Sequence, residues 1–331
     1  MIDRCGRTIE YLRVSITDKC NLRCCYCMPE EGIEHIPHEE ILSFEEVLRL
    51  IRISAGLGIK KIRITGGEPL VRKGVGDFLR QIKSIEGIEN LSITTNGVLL
   101  EQMYEDIVKA GVDSINVSLD TLKRERYALI TRRDEYDKVR RGMNLMHKAG
   151  ISLKINSVIC KGINDDEVTD LAALARDYDM DVRFIELMPV GCGKNLVRVD
   201  NEEIKARLIS EFGEGTLSRK VHGNGPAVYY DFEGFKGSVG FISPISHKFC
   251  GDCNRIRLTA EGFLKLCLNY NRGISLKELL RSEKSDDEIK KAMEQAIYNK
   301  PVQHRFEEND SSESAGNDTE VDGRKMAQIG G

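Results

Sequence analysis

The sequence lacks the features that direct a chain to a membrane or to nucleic acid. Its apolar runs all fall short of the roughly 18 residues that a transmembrane helix needs. The first residues, MIDRCGRTIEYLRV, contain no apolar segment of the kind that a signal peptide carries. Basic residues are not in excess, because 49 Lys and Arg stand against 53 Asp and Glu. We therefore expect a cytoplasmic protein with no general positive charge for binding nucleic acid or membranes.

The chain has ten cysteines in 331 residues, and four of the ten lie in one stretch, DKCNLRCCYCMP at 18–29. Thiols stay reduced in the cytoplasm, so such a cluster predicts a metal site before a disulfide. Cys20, Cys24 and Cys27 form C-x3-C-x2-C, and three thiolates could hold three irons of a [4Fe–4S] cluster while leaving the fourth open. A zinc knuckle that borrows a distant ligand would also suit this spacing.

Short β-rich runs alternate with amphipathic helical segments over the first part of the chain. The predicted strands are 11–16, 61–65, 91–96, 114–120, 153–159 and 182–188. Six βα units in series imply a parallel sheet, which is either doubly wound or curled into a barrel. One face of these strands is apolar and the other polar, whereas a doubly wound sheet is apolar on both faces. The pattern therefore predicts an α/β fold, an incomplete, open TIM-type barrel with a polar lumen.

The sequence changes in character near residue 200. Glycine-punctuated runs at 227–242 and 254–269 predict antiparallel hairpins, followed by two helical segments. Residues 307–322 hold seven acids and no base, and are expected to be flexible. Three parts are predicted. Residues 1–200 form a barrel that carries the first cysteine set, and residues 201–300 form a C-terminal antiparallel β and helical extension that carries a second set. Residues 301–331 form a flexible acidic tail that ends in Gly330 and Gly331.

The first cysteine set resembles that of the radical S-adenosylmethionine (SAM) superfamily. C-x3-C-x-Y-C follows the first predicted strand, and GGEPL at 66–70 follows the second. Glycines at such a position let the backbone approach a ligand closely. The resemblance implies a [4Fe–4S] cluster whose open iron chelates SAM. It also implies that reduction of the cluster cleaves SAM to methionine and a 5′-deoxyadenosyl radical, so that the cofactor carries the difficult chemistry.

A second cysteine set narrows the resemblance. Cys250, Cys253 and Cys267 read C-x2-C-x13-C, a spacing that would by itself also suit a zinc ribbon. Together with the first set, and with NRIRLT between the last two cysteines, it is similar to the GTP 3′,8-cyclase family of molybdenum cofactor biosynthesis. The resemblance implies a second [4Fe–4S] cluster that binds the guanine of GTP. It further implies a lyase that forms (8S)-3′,8-cyclo-7,8-dihydroguanosine 5′-triphosphate.

The resemblance also implies partners and site residues. Besides GTP, it implies a reductant for the cluster, transfer of the product to cyclic pyranopterin monophosphate synthase, and a monomer or homodimer. The implied SAM contacts are Tyr26, Gly67, Ser118 and Met188. The implied GTP contacts are Arg13, Arg63, Thr94, Lys154, Arg255, Ile256 and Arg257. The implied catalytic residues are Arg255, Arg257, Gly330 and Gly331, and the implied cluster ligands are Cys20, Cys24, Cys27, Cys250, Cys253 and Cys267.

The strand pattern supports some of these residues and not others. Arg13, Arg63 and Lys154 lie on the polar strand face, where a buried triphosphate would need cations. Arg183 is a further candidate, but simple alternation places it on the face opposite Glu186 and Met188, so a bulge would be required.

Two alternatives to the cyclase are open from the sequence. A radical SAM enzyme that modifies a peptide would also carry an auxiliary cluster, but such relatives usually have a longer, more cysteine-rich C-terminal region and lack the Arg-Ile-Arg and Gly-Gly features. A non-enzymatic iron–sulfur or zinc-binding protein would need neither the cationic lumen nor GGEP.

Overall fold

The computed structural model describes residues 1–223, 225–306, 322 and 324–330. Its strands are β1 Tyr11–Ser15, β2 Lys61–Thr65, β3 Asn90–Thr95, β4 Ser114–Ser118, β5 Ser152–Ile159, β6 Asp181–Glu186, β7 Thr216–Leu217, β8 Val228–Asp231, β9 Val239–Ile242, β10 Arg255–Leu258, β11 Phe263–Lys265 and β12 Gly273–Ser275. Its α-helices are α1 Phe44–Ala55, α2 Val75–Lys83, α3 Tyr104–Ala110, α4 Arg124–Thr131, α5 Tyr136–Lys148, α6 Val168–Asp177, α7 Asn201–Phe212, α8 Leu276–Arg281, α9 Asp286–Tyr298 and α10 Met326–Ile329.

The six N-terminal strands form the centre of the sheet. β1 to β6 pair in chain order, and every one of these pairs is parallel. The full order is β12-β11-β10-β1-β2-β3-β4-β5-β6-β9-β8-β7, in which the first and last strands do not pair. The predicted open βα barrel is therefore confirmed.

The residues after 200 extend the same sheet at both edges. β10 pairs with β1 and β9 pairs with β6, both in parallel. Beyond them the antiparallel pairs β10–β11, β11–β12, β8–β9 and β7–β8 follow, as the glycine-punctuated runs predicted. The pairing of β10 with β1 brings residues near 255 beside residues near 13, a proximity that the sequence order alone does not indicate.

The apolar face of the strands forms the core. Val14, Ile64 and Ile93 are paired across β1, β2 and β3, and all three are fully buried. They belong to one apolar cluster with Leu50 of α1 and Phe78 of α2. Burying an aliphatic side chain contributes roughly 1.5–3 kcal/mol, so this face decides which side of the sheet the helices cover. The polar face is left to line the interior.

The acidic run at 307–322, which is predicted to be flexible, lies outside the described residues apart from Asp322. Gly331 lies outside them too.

The helices that the structure describes are too short or too polar to cross a membrane.

Candidate active site

A cavity of about 330 Å³ lies on the polar face of the sheet, over the carboxyl ends of its parallel strands. Its volume is within the roughly 300–1,000 Å³ of typical small-molecule sites. The carboxyl ends of parallel strands are also where α/β proteins bind their ligands. Its lining includes all six predicted cluster ligands, Cys20, Cys24, Cys27, Cys250, Cys253 and Cys267. The fold thus brings both cysteine sets to one cavity.

The first cysteine set lies on the loop after β1, and the GGEP motif holds this loop. The backbone N–H of Gly67 donates to the Thr17 carbonyl at 2.6 Å, and that of Glu68 donates to the Lys19 carbonyl at 2.8 Å. A Cβ atom on Gly67 would lie 2.4 Å from the Lys19 carbonyl oxygen, so no larger residue fits. Gly67 therefore allows the loop after β2 to approach the loop after β1 closely, and it also lines the cavity.

Glu68 of the same motif joins the loops that follow β2 and β3. Its carboxylate accepts hydrogen bonds from Leu70 N at 3.0 Å, Thr95 Oγ1 at 2.8 Å and Asn96 N at 2.7 Å. Burial raises the pKa of Glu68 to about 7, and these three hydrogen bonds oppose the rise. Because N–H and O–H groups of the protein occupy the acceptor oxygens of Glu68, this residue fixes the positions of the two loops.

The donor chemistry of the first set fits an iron–sulfur cluster. Burial raises the pKa of Cys20 to about 11 and that of Cys27 to about 12, and it also raises the pKa of Cys24 well above its usual value. Without metal these thiols stay protonated, whereas a metal-bound thiol is deprotonated. Asn96 Nδ2 donates to Cys20 Sγ at 3.8 Å, and the backbone N–H of Ala327 hydrogen-bonds Cys27. Such N–H donors to sulfur are typical of iron–sulfur ligands.

The second set has a different electrostatic setting. Burial raises the pKa of Cys253, but Lys300 and Arg255 outweigh burial and lower it to about 7. Lys300 is 2% exposed, and its Nζ donates to the Leu266 carbonyl. No three His, Cys, Asp or Glu side chains in the described residues are arranged to hold a single metal ion. Assignment of either set to a cluster therefore rests on motif and donor chemistry.

The four predicted SAM contacts, Tyr26, Gly67, Ser118 and Met188, all line the cavity. Tyr26 is held by Asp120, whose Oδ2 accepts the tyrosine hydroxyl at 2.7 Å and whose Oδ1 accepts Val158 N at 2.8 Å. Burial raises the pKa of Asp120 to about 6, and both hydrogen bonds oppose the rise. The alternation of the fourth strand indicated the face of Asp120, but sequence analysis assigned it no role.

Strand register explains how the predicted GTP contacts meet. Arg63 of β2, Arg13 of β1 and Arg257 of β10 are direct neighbours across three parallel strands. Arg255 lies two residues before Arg257 on the same face, and these four residues line the cavity together with Thr94.

Ile256 points the other way, because adjacent strand residues face opposite sides of a sheet. Its side chain is fully buried in the core, so its prediction as a GTP contact is not supported for the side chain.

Positive charge dominates the cavity. Burial lowers the pKa of Arg13 well below its usual range, and Arg257 lowers it further. Burial, assisted by Arg255, lowers the pKa of Arg257 to about 10. The cations and carboxylates among the described lining residues are Arg13, Arg63, Arg183, Arg255, Arg257 and Lys300 against Asp120 and Glu186. Glu186 is already engaged by the backbone N–H groups of Ile245 and Ser246, at 3.0 and 3.1 Å. An anionic ligand would relieve the repulsion among the guanidinium groups.

Lys154 does not line the cavity. Its Nζ donates to Asp181 Oδ2 at 2.9 Å and also to the His222 carbonyl. Lys154 and Asp181 are direct partners in β5 and β6, so the neighbouring strand supplies its counter-ion. Lys154 lies on the predicted polar face, but an acid of the protein already provides its counter-ion.

Arg183 lines the cavity and needs no bulge to do so. Its guanidinium donates to Asn116 Oδ1, and it lies in one register row with Asn156 of β5. The pairing of β6 with β5 runs without interruption from Asp181 to Glu186, so β6 has no bulge; Glu186 is its last residue and Met188 lies beyond it. All three residues reach the cavity, and the inference that a bulge is required was wrong.

Two family models match the chain in succession. The Radical SAM superfamily model matches residues 14–175, and the Molybdenum Cofactor Synthesis C model matches residues 180–306. The first range runs from β1 to α6 and holds the first cysteine set. The second begins just before β6 and holds the second set.

Curated relatives match along their whole length. The GTP 3′,8-cyclase of Clostridium perfringens (strain 13 / Type A) is 43% identical over 331 residues, which cover both chains completely. That of Syntrophomonas wolfei is 46% identical over 335 residues, again covering both chains. That of Thermodesulfovibrio yellowstonii is 45% identical over 305 residues, 91% of this chain and 94% of the relative.

Solved structures share the fold. Streptococcus suis SuiB bound to S-adenosylmethionine superposes with a TM-score of 0.60 at 15% identity, over 88% of this chain and 68% of SuiB. SuiB bound to its precursor peptide SuiA gives a TM-score of 0.61 at 15% identity, over 90% and 66%. At this identity the likeness shows the fold alone. The full-length identity to the cyclases shows the family: the chain belongs to the GTP 3′,8-cyclase family of the radical SAM superfamily.

Proposed function

We propose that this protein converts GTP to (8S)-3′,8-cyclo-7,8-dihydroguanosine 5′-triphosphate, an early step of molybdenum cofactor biosynthesis. It is a radical SAM enzyme that uses SAM and a [4Fe–4S] cluster, and we assign a second cluster to the C-terminal cysteines. One observation carries the proposal. Both cysteine sets line a single cavity, and a row of arginines lines it too.

The N-terminal half of the cavity suits SAM. The cluster held by Cys20, Cys24 and Cys27 would leave one iron open for the amino and carboxylate groups of SAM. When bound, SAM and this cluster would supply a 5′-deoxyadenosyl radical, which is the reagent that cyclisation of GTP requires. Tyr26 is kept in place beside the cysteines by its hydrogen bond to Asp120. The protein's part is to position these groups and exclude water.

The arginine row suits the triphosphate of GTP. Arg13, Arg63 and Arg257 present three guanidinium groups on adjacent strands, and Arg63 Nε is oriented by Ser92 Oγ at 3.1 Å. Guanidinium groups pair with phosphate in two-pronged hydrogen bonds that are stronger than neutral ones. Charge repulsion among them disfavours the empty site and would be relieved by a polyanion. This arrangement supports a nucleoside triphosphate as the substrate.

We propose that a cluster held by the second cysteine set binds the guanine. Lys300 and Arg255 favour the thiolate form of Cys253, which is the form that binds iron. We further propose that a cellular reductant delivers electrons to the first cluster and that cyclic pyranopterin monophosphate synthase takes the product. For the assembly we propose a monomer or a homodimer.

Anaerobic reconstitution tests the proposal directly. The full chain should bind about eight irons, four for each cluster. With SAM, dithionite and GTP it should form methionine, 5′-deoxyadenosine and the cyclic product, which mass spectrometry measures. ATP in place of GTP is the matched control and should give no cyclic product. SAM cleavage without a cyclic nucleotide would contradict the proposed substrate.

Replacing Arg63 by Ala should lower GTP affinity about ten- to hundredfold, because one charge-assisted hydrogen bond is worth roughly 1.5–3 kcal/mol. Lys154→Ala should have a smaller effect, because Lys154 must first give up Asp181 to bind a phosphate. Isothermal titration with GTP measures both. Lys109→Ala, at an exposed ion pair on α3, is the control and should bind normally. Unchanged affinity in Arg63→Ala would remove Arg63 from the GTP site.

A further inference from the structure

The C-terminal segment at 324–330 lies against the cavity. Met326 and Ala327 of α10 line it, and Ile329 is 1% exposed. Ile329 packs with Val190, Ile245 and Phe306 in a small apolar cluster that is separate from the main core. A helix of four residues has no stability in isolation, because forming its first turn costs more than the turn returns. Something outside the helix must therefore hold it in place.

Asp322 supplies such an anchor. Its Oδ2 pairs with Lys265 Nζ, and the two side chains are 3% and 0% exposed. Lys265 Nζ also donates to the Tyr270 carbonyl at 2.8 Å, and Asp322 N–H donates to the Asn269 carbonyl at 3.0 Å. Burial lowers the pKa of Lys265, and Asp322 opposes this. A lysine buried in a strand requires a partner, and the C-terminal segment provides it.

Arg324 is the second cation that binds the carboxylate of Asp322. Its Nε and Nη2 donate to the two carboxylate oxygens of Asp322 at 3.0 and 2.9 Å. Its Nη1 pairs with Glu261, and its Nη2 donates to Asn271 Oδ1 at 3.1 Å. The guanidinium also lies 5.6 Å from the centre of the Phe263 ring. Asp322 is thus held by a cation on either side, and both cations are fixed to the β10–β12 edge.

The anchored segment contacts the first cysteine set and the arginine row. The Ala327 N–H hydrogen-bonds Cys27 of the first set. The Gly330 carbonyl accepts from Arg257 Nη1 at 2.7 Å. Lys265 is the direct strand partner of Arg257 in β11 and β10, so the anchor and the Gly330 contact lie side by side. Loss of the anchor would therefore disturb both the contact of Gly330 with Arg257 and the contact of Ala327 with Cys27.

We propose that Asp322, together with Lys265 and Arg324, is a positioning site that docks the C-terminal segment between the two cysteine sets. Asp322 contacts neither set itself. It acts through Ala327, whose N–H lies against a cluster sulfur, and through Gly330, whose carbonyl orients Arg257. Hydrogen bonds to sulfur raise the potential of an iron–sulfur cluster, so docking also sets how readily the first cluster is reduced. The effect on turnover rests on the proposed function, whereas the docking does not.

The test uses the full chain with Asp322→Asn, which keeps the side-chain shape and removes the charge. Trypsin can cut after Arg324 or Lys325 and so release the last seven or six residues. Docking protects these bonds, and we expect the variant to lose this peptide about tenfold faster or more, by intact-mass spectrometry. In the reconstituted variant, the midpoint potential of the first cluster should fall. The kcat for cyclisation should fall at least tenfold, with KM for GTP within threefold.

Asp77→Asn is the matched control, since Asp77 pairs with Arg80 on α2 and its side chain is 74% exposed. It should behave as the unchanged chain in all measurements. Arg324→Gln is the second variant should Asp322→Asn fail to fold, and trypsin then cuts after Lys325. Unchanged trypsin release overturns the anchor. Faster release with unchanged potential and kcat overturns the positioning role. A wild-type chain without cyclase activity would contradict the proposed function while leaving the trypsin comparison valid.

Discussion

Replacing Cys24 by Ala should abolish SAM cleavage, whereas replacing Cys267 by Ala should leave SAM cleavage and abolish the cyclic product. Cys24 belongs to the set that we assign to the SAM-binding cluster, and the two remaining thiolates would not retain that cluster. Cys267 belongs to the set assigned to guanine, so its loss leaves the radical without a correctly placed ribose. Iron content, 5′-deoxyadenosine and cyclic product are measured on each anaerobically reconstituted variant.

The two effects should separate because the two sets are fixed by different parts of the fold. The first loop is tied to the end of α4, where Cys25 N–H donates to the Ile130 carbonyl at 2.9 Å and Arg23 N–H to the Thr131 carbonyl at 2.9 Å. The second set flanks the sheet edge formed by β10 and β11, with Cys250 and Cys253 before β10 and Cys267 after β11. Loss of one set therefore need not unfold the other.

Cys25→Ala is the control for Cys24→Ala. Cys25 lies in the same loop, but it is absent from the residues that line the cavity. Both SAM cleavage and cyclisation should persist in this variant. If Cys25→Ala lost SAM cleavage as completely as Cys24→Ala, the effect would reflect loop folding and not cluster ligation. Four irons per chain, or zinc with the C-terminal set, would contradict the second cluster.

The strand periodicity predicted the lumen correctly because it depends on local geometry alone. Arg13 and Arg63 were assigned to the polar face from alternation within their own strands, and both line the cavity. Alternation also predicted the face of Lys154 correctly. It could not predict that Asp181, 27 residues later, would pair with Lys154, because the partner is set by strand neighbours and not by the strand itself.

The structure revealed two further features that depend on long-range contacts. Alternation continued to residue 188 puts Met188 opposite Arg183, whereas β6 ends two residues earlier, at Glu186. Lys300 cannot be identified from the sequence, because a lone lysine after a helix carries no motif. Only the folded chain places it beside Cys253. A sequence pattern can indicate the face of a strand, but it does not indicate where the strand ends or which distant residue meets it.

The terminal glycines are predicted to be needed for turnover, and Gly330 has the geometry for such a role. Its φ of 73° is in the left-handed region, and a Cβ atom there would lie 3.0 Å from Ser15 Cβ of β1. A left-handed conformation costs an L-residue about 1–2 kcal/mol. The Gly330 carbonyl holds Arg257, so a shift in this backbone would move a cation of the GTP site.

Deleting Gly330 and Gly331 removes the carbonyl that orients Arg257 but no group that we assign to binding GTP or a cluster, so iron content and GTP affinity should stay intact while most cyclisation is lost. Gly330→Ala should lower the cyclisation rate about five- to thirtyfold, the factor that 1–2 kcal/mol represents. Gly234→Ala is the matched control, because Gly234 has a φ of 76° in the turn after β8 and nothing near its Cβ position. It should share the backbone strain and keep the wild-type rate. Full cyclase activity in the deletion variant would show that the chain end plays no part in the reaction.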